Sequence, residues 1–159
     1  PAFVMPDSSP SLAIRPLVAQ DLPALLALYK HLHRQDDPLP SLVQVQAVWQ
    51  GLLAEPRNHY WGGFVGEQLV SSCVLTTIAN LTRGCRPYGL IENVVTHAAH
   101  RQRGYGKALL HAALQQAWAQ GCYKVMLMTG RKDEATLRFY AEAGFDGGDK
   151  RAFVARPPV

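Results

Sequence analysis

Arg101-Gln102-Arg103-Gly104-Tyr105-Gly106-Lys107-Ala108 is the stretch on which the reading of this chain turns. It follows a strand-like run, Leu90-Ile91-Glu92-Asn93-Val94-Val95-Thr96, and opens a helix-like one, Ala108 to Gln120. Two glycines one residue apart at a strand-to-helix junction let backbone N–H groups approach a ligand without interference from a Cβ. The new helix adds its unpaired donors and the positive end of its dipole. Such a junction is a seat for phosphate. A plain tight turn before a helix uses the same residue types, and the flanking cations Arg101, Arg103 and Lys107 favour the phosphate reading over it. A GxGxxG dinucleotide fingerprint fits worse, because Ala108 and Leu109 follow where a third glycine is needed and the strand lies late in the chain.

Outward from that junction, the preceding elements read as an antiparallel start. Leu12-Ala13-Ile14-Arg15 is a short strand closed by Pro16, and Asp21 is placed to cap a helix through Leu22, Leu25, Leu26 and Tyr29 that fades near His33. His31 to Pro40, with Asp36, Asp37, Pro38 and Pro40, is a loop, and Ser41 caps a second helix over about 42–53. Two extended runs, Tyr60 to Val65 and Leu69 to Ile78, flank Gly66-Glu67-Gln68, which is a hairpin signal. After the junction, Leu109, Leu110, Ala113, Leu114 and Ala117 recur at helical spacing, and Gly121 ends that helix. Lys124 to Thr129 is a compact apolar run of the kind found in a strand buried on both faces, parallel to the 90–96 strand with the helix as crossover. A last helix runs from about Asp133 to Ala143, followed by a weak terminal strand around 152–155.

A length of 159 residues predicts one domain, residues 12–159, behind a loose lead-in at 1–11 that carries three prolines. Three widely spaced cysteines without a Cys-x-x-Cys pair suggest neither a disulfide framework nor a zinc site, and they fit a reducing cytoplasm. No apolar run reaches the roughly 20 residues needed to cross a bilayer, and the N-terminus lacks signal-peptide features, so a cytoplasmic protein without membrane contact is expected. The net charge of +4 is concentrated partly in the glycine junction, where an anionic ligand uses it, and nucleic-acid signatures are missing.

The order of elements, with Arg101-x-x-Gly104-x-Gly106, Phe139-Tyr140-x-x-x-Gly144-Phe145 and Ile14-Arg15-x-x-x-x-x-Asp21, resembles the GNAT superfamily of acetyl-CoA-dependent N-acetyltransferases over about residues 12–155. A narrower similarity, in Ile91-Glu92-Asn93-Val94-Val95 and Gly121-Cys122-Tyr123-Lys124-Val125, is to the glucosamine-6-phosphate N-acetyltransferase branch, which usually has Asp in place of Asn93. The resemblance implies an α/β fold with a mixed sheet of six or seven strands and about four helices. It implies acetyl-CoA as co-substrate, no metal, and direct transfer of the acetyl group to a primary amine of a small molecule or peptide.

By the same resemblance, the pantetheine arm pairs with the strand edge at Val94, Val95 and Thr96. The amides of Gln102, Arg103, Gly104, Tyr105, Gly106 and Lys107 hold the pyrophosphate, with Arg101 and Ala108 bounding the loop. Asp133, Thr136 and Phe139 lie on the helix beside the cofactor, although the family often carries Asn and Ala where this chain has Asp133 and Thr136, and Asp133 has a helix cap as its simpler role. Tyr140 is the expected proton donor to the leaving thiolate.

Glu92 is the one carboxylate in its strand, on the face of Val94 and Thr96 by the period-2 rule, and either a surface residue or the base that helps deprotonate the amine. An alkyl ammonium with a pKa of about 10.4 loses its proton at pH 7 at a cost of roughly 4 to 5 kcal/mol, which is why a base helps. His97 and His100 are the alternative bases. The resemblance implies that the loop His31 to Pro40, with Asp36 and Asp37 to attract a cationic amine, and Tyr60 and Trp61 line the acceptor pocket, while Trp49 and Trp118 read as helix-packing residues. A silent acyl-CoA-binding module and a homodimer through the terminal strand remain open alternatives.

Overall fold

The computed structural model describes residues 11–159, so the lead-in expected at 1–11 lies almost wholly outside the described residues. Five strands form one sheet in the order of the chain: β1 (Leu12–Pro16), β2 (Asn58–Val65), β3 (Gln68–Ile78), β4 (Tyr88–Thr96) and β5 (Val125–Leu127). The first four pair antiparallel, and β5 lies parallel to β4. Among the described residues the helices are α1 (Leu22–Tyr29), α2 (Leu42–Ala54), a four-residue turn α3 (Thr82–Cys85), α4 (Tyr105–Ala119) and α5 (Glu134–Glu142).

The sheet separates two apolar cores. On one face Leu109, Leu110, Ala113 and Ala117 of α4 pack on Cys73, Leu75 and Ile91, with Phe139, Tyr140 and Phe145 closing the edge. On the other face Leu22, Leu25 and Leu28 of α1 and Trp49 of α2 pack on Phe64, Leu69 and Val95. The helical repeat seen in α4 thus corresponds to its buried stripe.

Local chemistry explains most boundaries. Ser41 Oγ accepts the Gln44 N–H at 3.3 Å and the Gln44 side chain accepts the Ser41 N–H at 3.2 Å, a reciprocal cap that starts α2. Asp133 accepts the Thr136 N–H at 3.0 Å and starts α5. Asp21, expected to cap α1, does something else. Its carboxylate takes both Arg15 guanidinium nitrogens, at 2.7 and 3.0 Å, and the Val18 N–H at 2.7 Å, so it fastens the end of β1 to the start of α1.

Other expectations need correction. Among the described residues the sheet has five strands where six or seven were expected; residues 146–159 form no strand and leave Phe153 and Val154 exposed. The apolar run at 124–129 gives only three paired residues, half-buried and not buried on both faces, since the chain turns away from β4 after Leu127. Trp49 is buried, with its indole N–H bonded to the Ala19 carbonyl, whereas Trp118 is half exposed and packs little.

The Arg15 pair, with burial opposing, holds the Asp21 carboxyl below its ordinary 3.8. A carboxylate so lowered adds stability that is complete above the ordinary value and is lost as pH falls through the lowered one. Asp21→Asn is therefore expected to lower unfolding stability by about 1 to 3 kcal/mol at pH 7. Urea melts should show the gap from wild type closing in the acid range below 3.8 and unchanged above it.

Candidate functional site

The site begins with an irregularity in β4. Val74 pairs with Glu92 and Ser72 with Val95, so Cys73 alone stands opposite both Asn93 and Val94. This is a β-bulge, and Asn93 takes the left-handed conformation (φ 52°) that its short polar side chain tolerates better than most. The extra residue reverses the alternation of faces. Val74 and Ser72 are two apart and share a face, so Glu92 and Val95 share it as well, although they are three apart. Val95 packs into the α1 and α2 core, while Val94 packs against the α4 core. Glu92 therefore does not lie on the face of Val94 and Thr96, as simple alternation predicts, but on the face covered by α1.

Past the bulge, β4 has no neighbour on its β5 side among the described residues, because the pairing of these strands ends at Ile91 and Leu127. The opening continues as a cleft of about 830 Å³. Its walls are the second half of β4, the start of α4, the β5–α5 connection, one side of α5 and the end of α1. The volume falls within the usual range for a small-molecule site.

At the base of the cleft, Gly104 has φ 78° and open space around it, so its glycine serves the turn. Gly106 serves packing: a Cβ there would stand 3.0 Å from the Phe139 ring and 3.4 Å from Thr96 Oγ1. The two glycines therefore do different work, and only the first leaves room for a ligand. The Ala108 N–H bonds the Gly104 carbonyl at 3.0 Å. Among the described residues the six amides before it, Gln102 to Lys107, have no acceptor, so free donors gather at the positive end of α4.

Of the residues singled out from the sequence, Glu92, Val94, Val95, Thr96, Arg101, Gln102, Gly104, Tyr105, Gly106, Lys107, Asp133, Thr136, Phe139 and Tyr140 line this one cleft. Arg103 is exposed beside it, and the side chain of Ala108 turns to a different groove with Ile14 and Trp61. The Arg101 guanidinium is engaged, donating to the Thr96 carbonyl and the His31 carbonyl, each at 3.1 Å. The Asp133 carboxylate is occupied in capping α5.

Burial raises the Tyr140 phenol above its ordinary 10.0, with Cys73 and Glu92 adding to the effect and Arg131 opposing it. The hydroxyl is thus protonated at neutral pH and able to donate. Burial also pushes the Cys73 thiol up to about 12, which makes it a poor nucleophile. Tyr29, facing Tyr60 and the Asn93 side chain, is likewise held well above the ordinary phenol value, chiefly by burial. His100, an alternative base in the sequence, stands on the cleft wall with a buried Nδ1 that has no partner among the described residues.

Arg131 and the segment Met128-Thr129-Gly130 line the cleft and were not singled out from the sequence. A cation between the C-terminal end of a strand and a capped helix is a signal that could have found Arg131. Among the described residues no three of His, Cys, Asp and Glu gather as a metal-ligand set, and no helix is long and apolar enough to cross a membrane.

Residues 22–145 match the Acetyltransferase (GNAT) family. A glucosamine 6-phosphate N-acetyltransferase of Trypanosoma brucei brucei is 31% identical over 145 residues, which are 88% of this chain and 92% of that protein. A solved structure from Agrobacterium tumefaciens str. C58, named only provisionally as an acetyltransferase, superposes with a TM-score of 0.86 at 39% identity over 91% of this chain and 99% of that one. Glucosamine-6-phosphate N-acetyltransferase from Arabidopsis thaliana has the same fold, with a TM-score of 0.79 at 17% identity over 92% of this chain and 98% of that one. Family match, relative and shared fold agree with the bulged strand and the donor-rich loop, and this chain belongs to the GNAT acetyltransferase family.

Proposed function

We propose that residues 12–159 act as one N-acetyltransferase domain that moves the acetyl group of acetyl-CoA to a primary amine in a ternary complex. The observation that carries this reading is that one cleft is lined by the loop of free amides and by both Glu92 and Tyr140. Acetyl-CoA supplies an activated thioester, and its pyrophosphate needs donors of the kind that Gln102 to Lys107 present. Its amide-bearing arm suits the unpaired edge of β4 from Val94 to Thr96.

The chain's own groups then divide the proton work. Glu92, with its carboxylate on the α1 face, takes the proton from the incoming ammonium, directly or through water. A backbone N–H near Val94, re-aimed by the bulge, polarises the thioester carbonyl. Tyr140 keeps its proton until the sulfur departs, donates it to the thiolate, and is reprotonated by the second proton that the acylated nitrogen gives up. A purely binding module has no use for these two side chains, and their meeting in the cleft favours catalysis over that alternative.

The acceptor is a small amine, or the amine of a peptide, reaching the site from the side of His31, His33 and Tyr29. The Trypanosoma relative makes glucosamine 6-phosphate the first compound to try. A panel of amino sugars, their phosphates, diamines and short peptides, read by release of free thiol from acetyl-CoA, would test the class. No thiol release with any amine, alongside tight acetyl-CoA binding, would favour the silent module.

Tyr140→Phe should lower kcat by about tenfold to a hundredfold, within or just below the range for a lost general acid, while acetyl-CoA binding by calorimetry stays within a factor of two or so. Full turnover in that variant would remove Tyr140 from the mechanism. In Glu92→Gln, the acidic limb of the kcat/KM profile should disappear and turnover should fall; an unchanged profile would dismiss Glu92 as the base.

The exposed Phe153 and Val154 in the extended tail, together with the free edge of the short β5, support a homodimer in which the tail of one copy adds to the sheet of the other. Light scattering should give twice the chain mass for wild type and a monomer for Phe153→Asp. A monomeric wild type would end that reading.

A further inference from the structure

The end of α1 meets the phosphate loop through a set of contacts that the catalytic reading does not use. The His31 Nδ1 accepts the Ala98 N–H at 3.3 Å, across 67 residues of sequence, and the His31 carbonyl accepts Arg101 Nη2 at 3.1 Å. Arg101 Nε holds the Thr96 carbonyl at 3.1 Å. The His31 ring lies against that of His97 with centroids 4.0 Å apart, and His97 Nδ1 accepts the Ala99 N–H at 3.1 Å. One residue from outside the loop therefore contacts both the turn at 98 and the cation at 101, immediately before the free amides of 102–107.

We propose that His31 is a positioning residue for the donor: it clamps the β4–α4 junction from the α1 side, so that the amides of Gln102 to Lys107 stand ready for the pyrophosphate before it arrives. The physical reason is preorganisation. A loop with Gln102 at φ 60° and Gly104 at φ 78° has few contacts of its own to keep its N–H groups convergent. Holding it in the binding conformation removes an ordering cost that the ligand would otherwise bear.

The clamp requires an unprotonated Nδ1. Burial, with His97 and Arg101 nearby, keeps the His31 ring below its ordinary 6.5, so the acceptor form prevails at neutral pH. Arg101 thereby acts through its bonds to two carbonyls, as a strut of the loop, in addition to any charge it offers the phosphates. The inference rests on the reading of acetyl-CoA as donor.

Acetyl-CoA titration by calorimetry on the full chain, at about pH 7.5 where His31 is neutral, tests it with two variants. His31→Leu keeps bulk but has no acceptor, and His31→Asn sets an amide oxygen close to the position of Nδ1. The expected result is about fivefold weaker binding for His31→Leu, the worth of one neutral hydrogen bond, with near wild-type binding restored by His31→Asn. Hydrogen exchange of the Ala98 amide in the unliganded wild type, expected to be slow for an exposed turn, reads the clamp without any variant. Wild-type affinity in His31→Leu, equal weakness in both variants, or an unprotected Ala98 amide would overturn the proposal. A wild type that binds no acetyl-CoA would overturn the donor reading itself, and this inference with it.

Discussion

One extra residue in β4 is the constraint on which the rest of the site depends. Because Asn93 and Val94 together face Cys73, the strand changes its alternation at the point where its pairing with β5 has just ended. A regular strand would keep Glu92 and Val94 on one face and could continue alongside β5, closing the cleft. The bulge sends Glu92 toward the α1 side and Val94 toward α4, and it leaves the backbone between them facing the opening. The cost is modest, a left-handed Asn of the type that turns and bulges commonly use.

The cores on the two faces hold this irregularity in place. Val95 is locked among the α1 and α2 side chains and Val94 against α4 and α5, so the bulge cannot slide without uncovering apolar surface on both faces. The same packing accounts for Gly106, whose missing Cβ lets the first turn of α4 approach Phe139 and brings Tyr140 to the cleft wall. Fold stability and site geometry are thus carried by shared contacts, and a group such as His31 can influence the donor loop without being part of it.

Much of this was legible in the residues. The glycine junction, the apolar stripe of α4, the Ser41 cap and the turn at Gly66 each have a local cause, and local causes are visible in sequence. The bulge was not, because Asn93 has no local signal that distinguishes a left-handed residue from a regular one, and the period-2 rule therefore put Glu92 on the wrong face. Asp21 was legible as important and misread in role, since its partner Arg15 lies on another element and capping is the commoner use of an Asp before a helix. The terminal strand expected at 152–155 does not form within the chain, and its apolar residues Phe153 and Val154 stay exposed. Arg131, His31 and His100 reach the cleft only through tertiary packing, which no short window of sequence records.

The central claim is that one bulged strand and one glycine loop together hold an acyl-CoA donor with its thioester beside Tyr140. A crystal structure of the chain with acetyl-CoA tests it most directly. The account predicts phosphate oxygens within hydrogen-bond reach of the amides of Gln102 to Lys107, the pantetheine arm along Val94 to Thr96, and the sulfur beside the Tyr140 hydroxyl. A donor seated elsewhere, or a sulfur out of reach of Tyr140 with the β4 edge left unpaired, would contradict it.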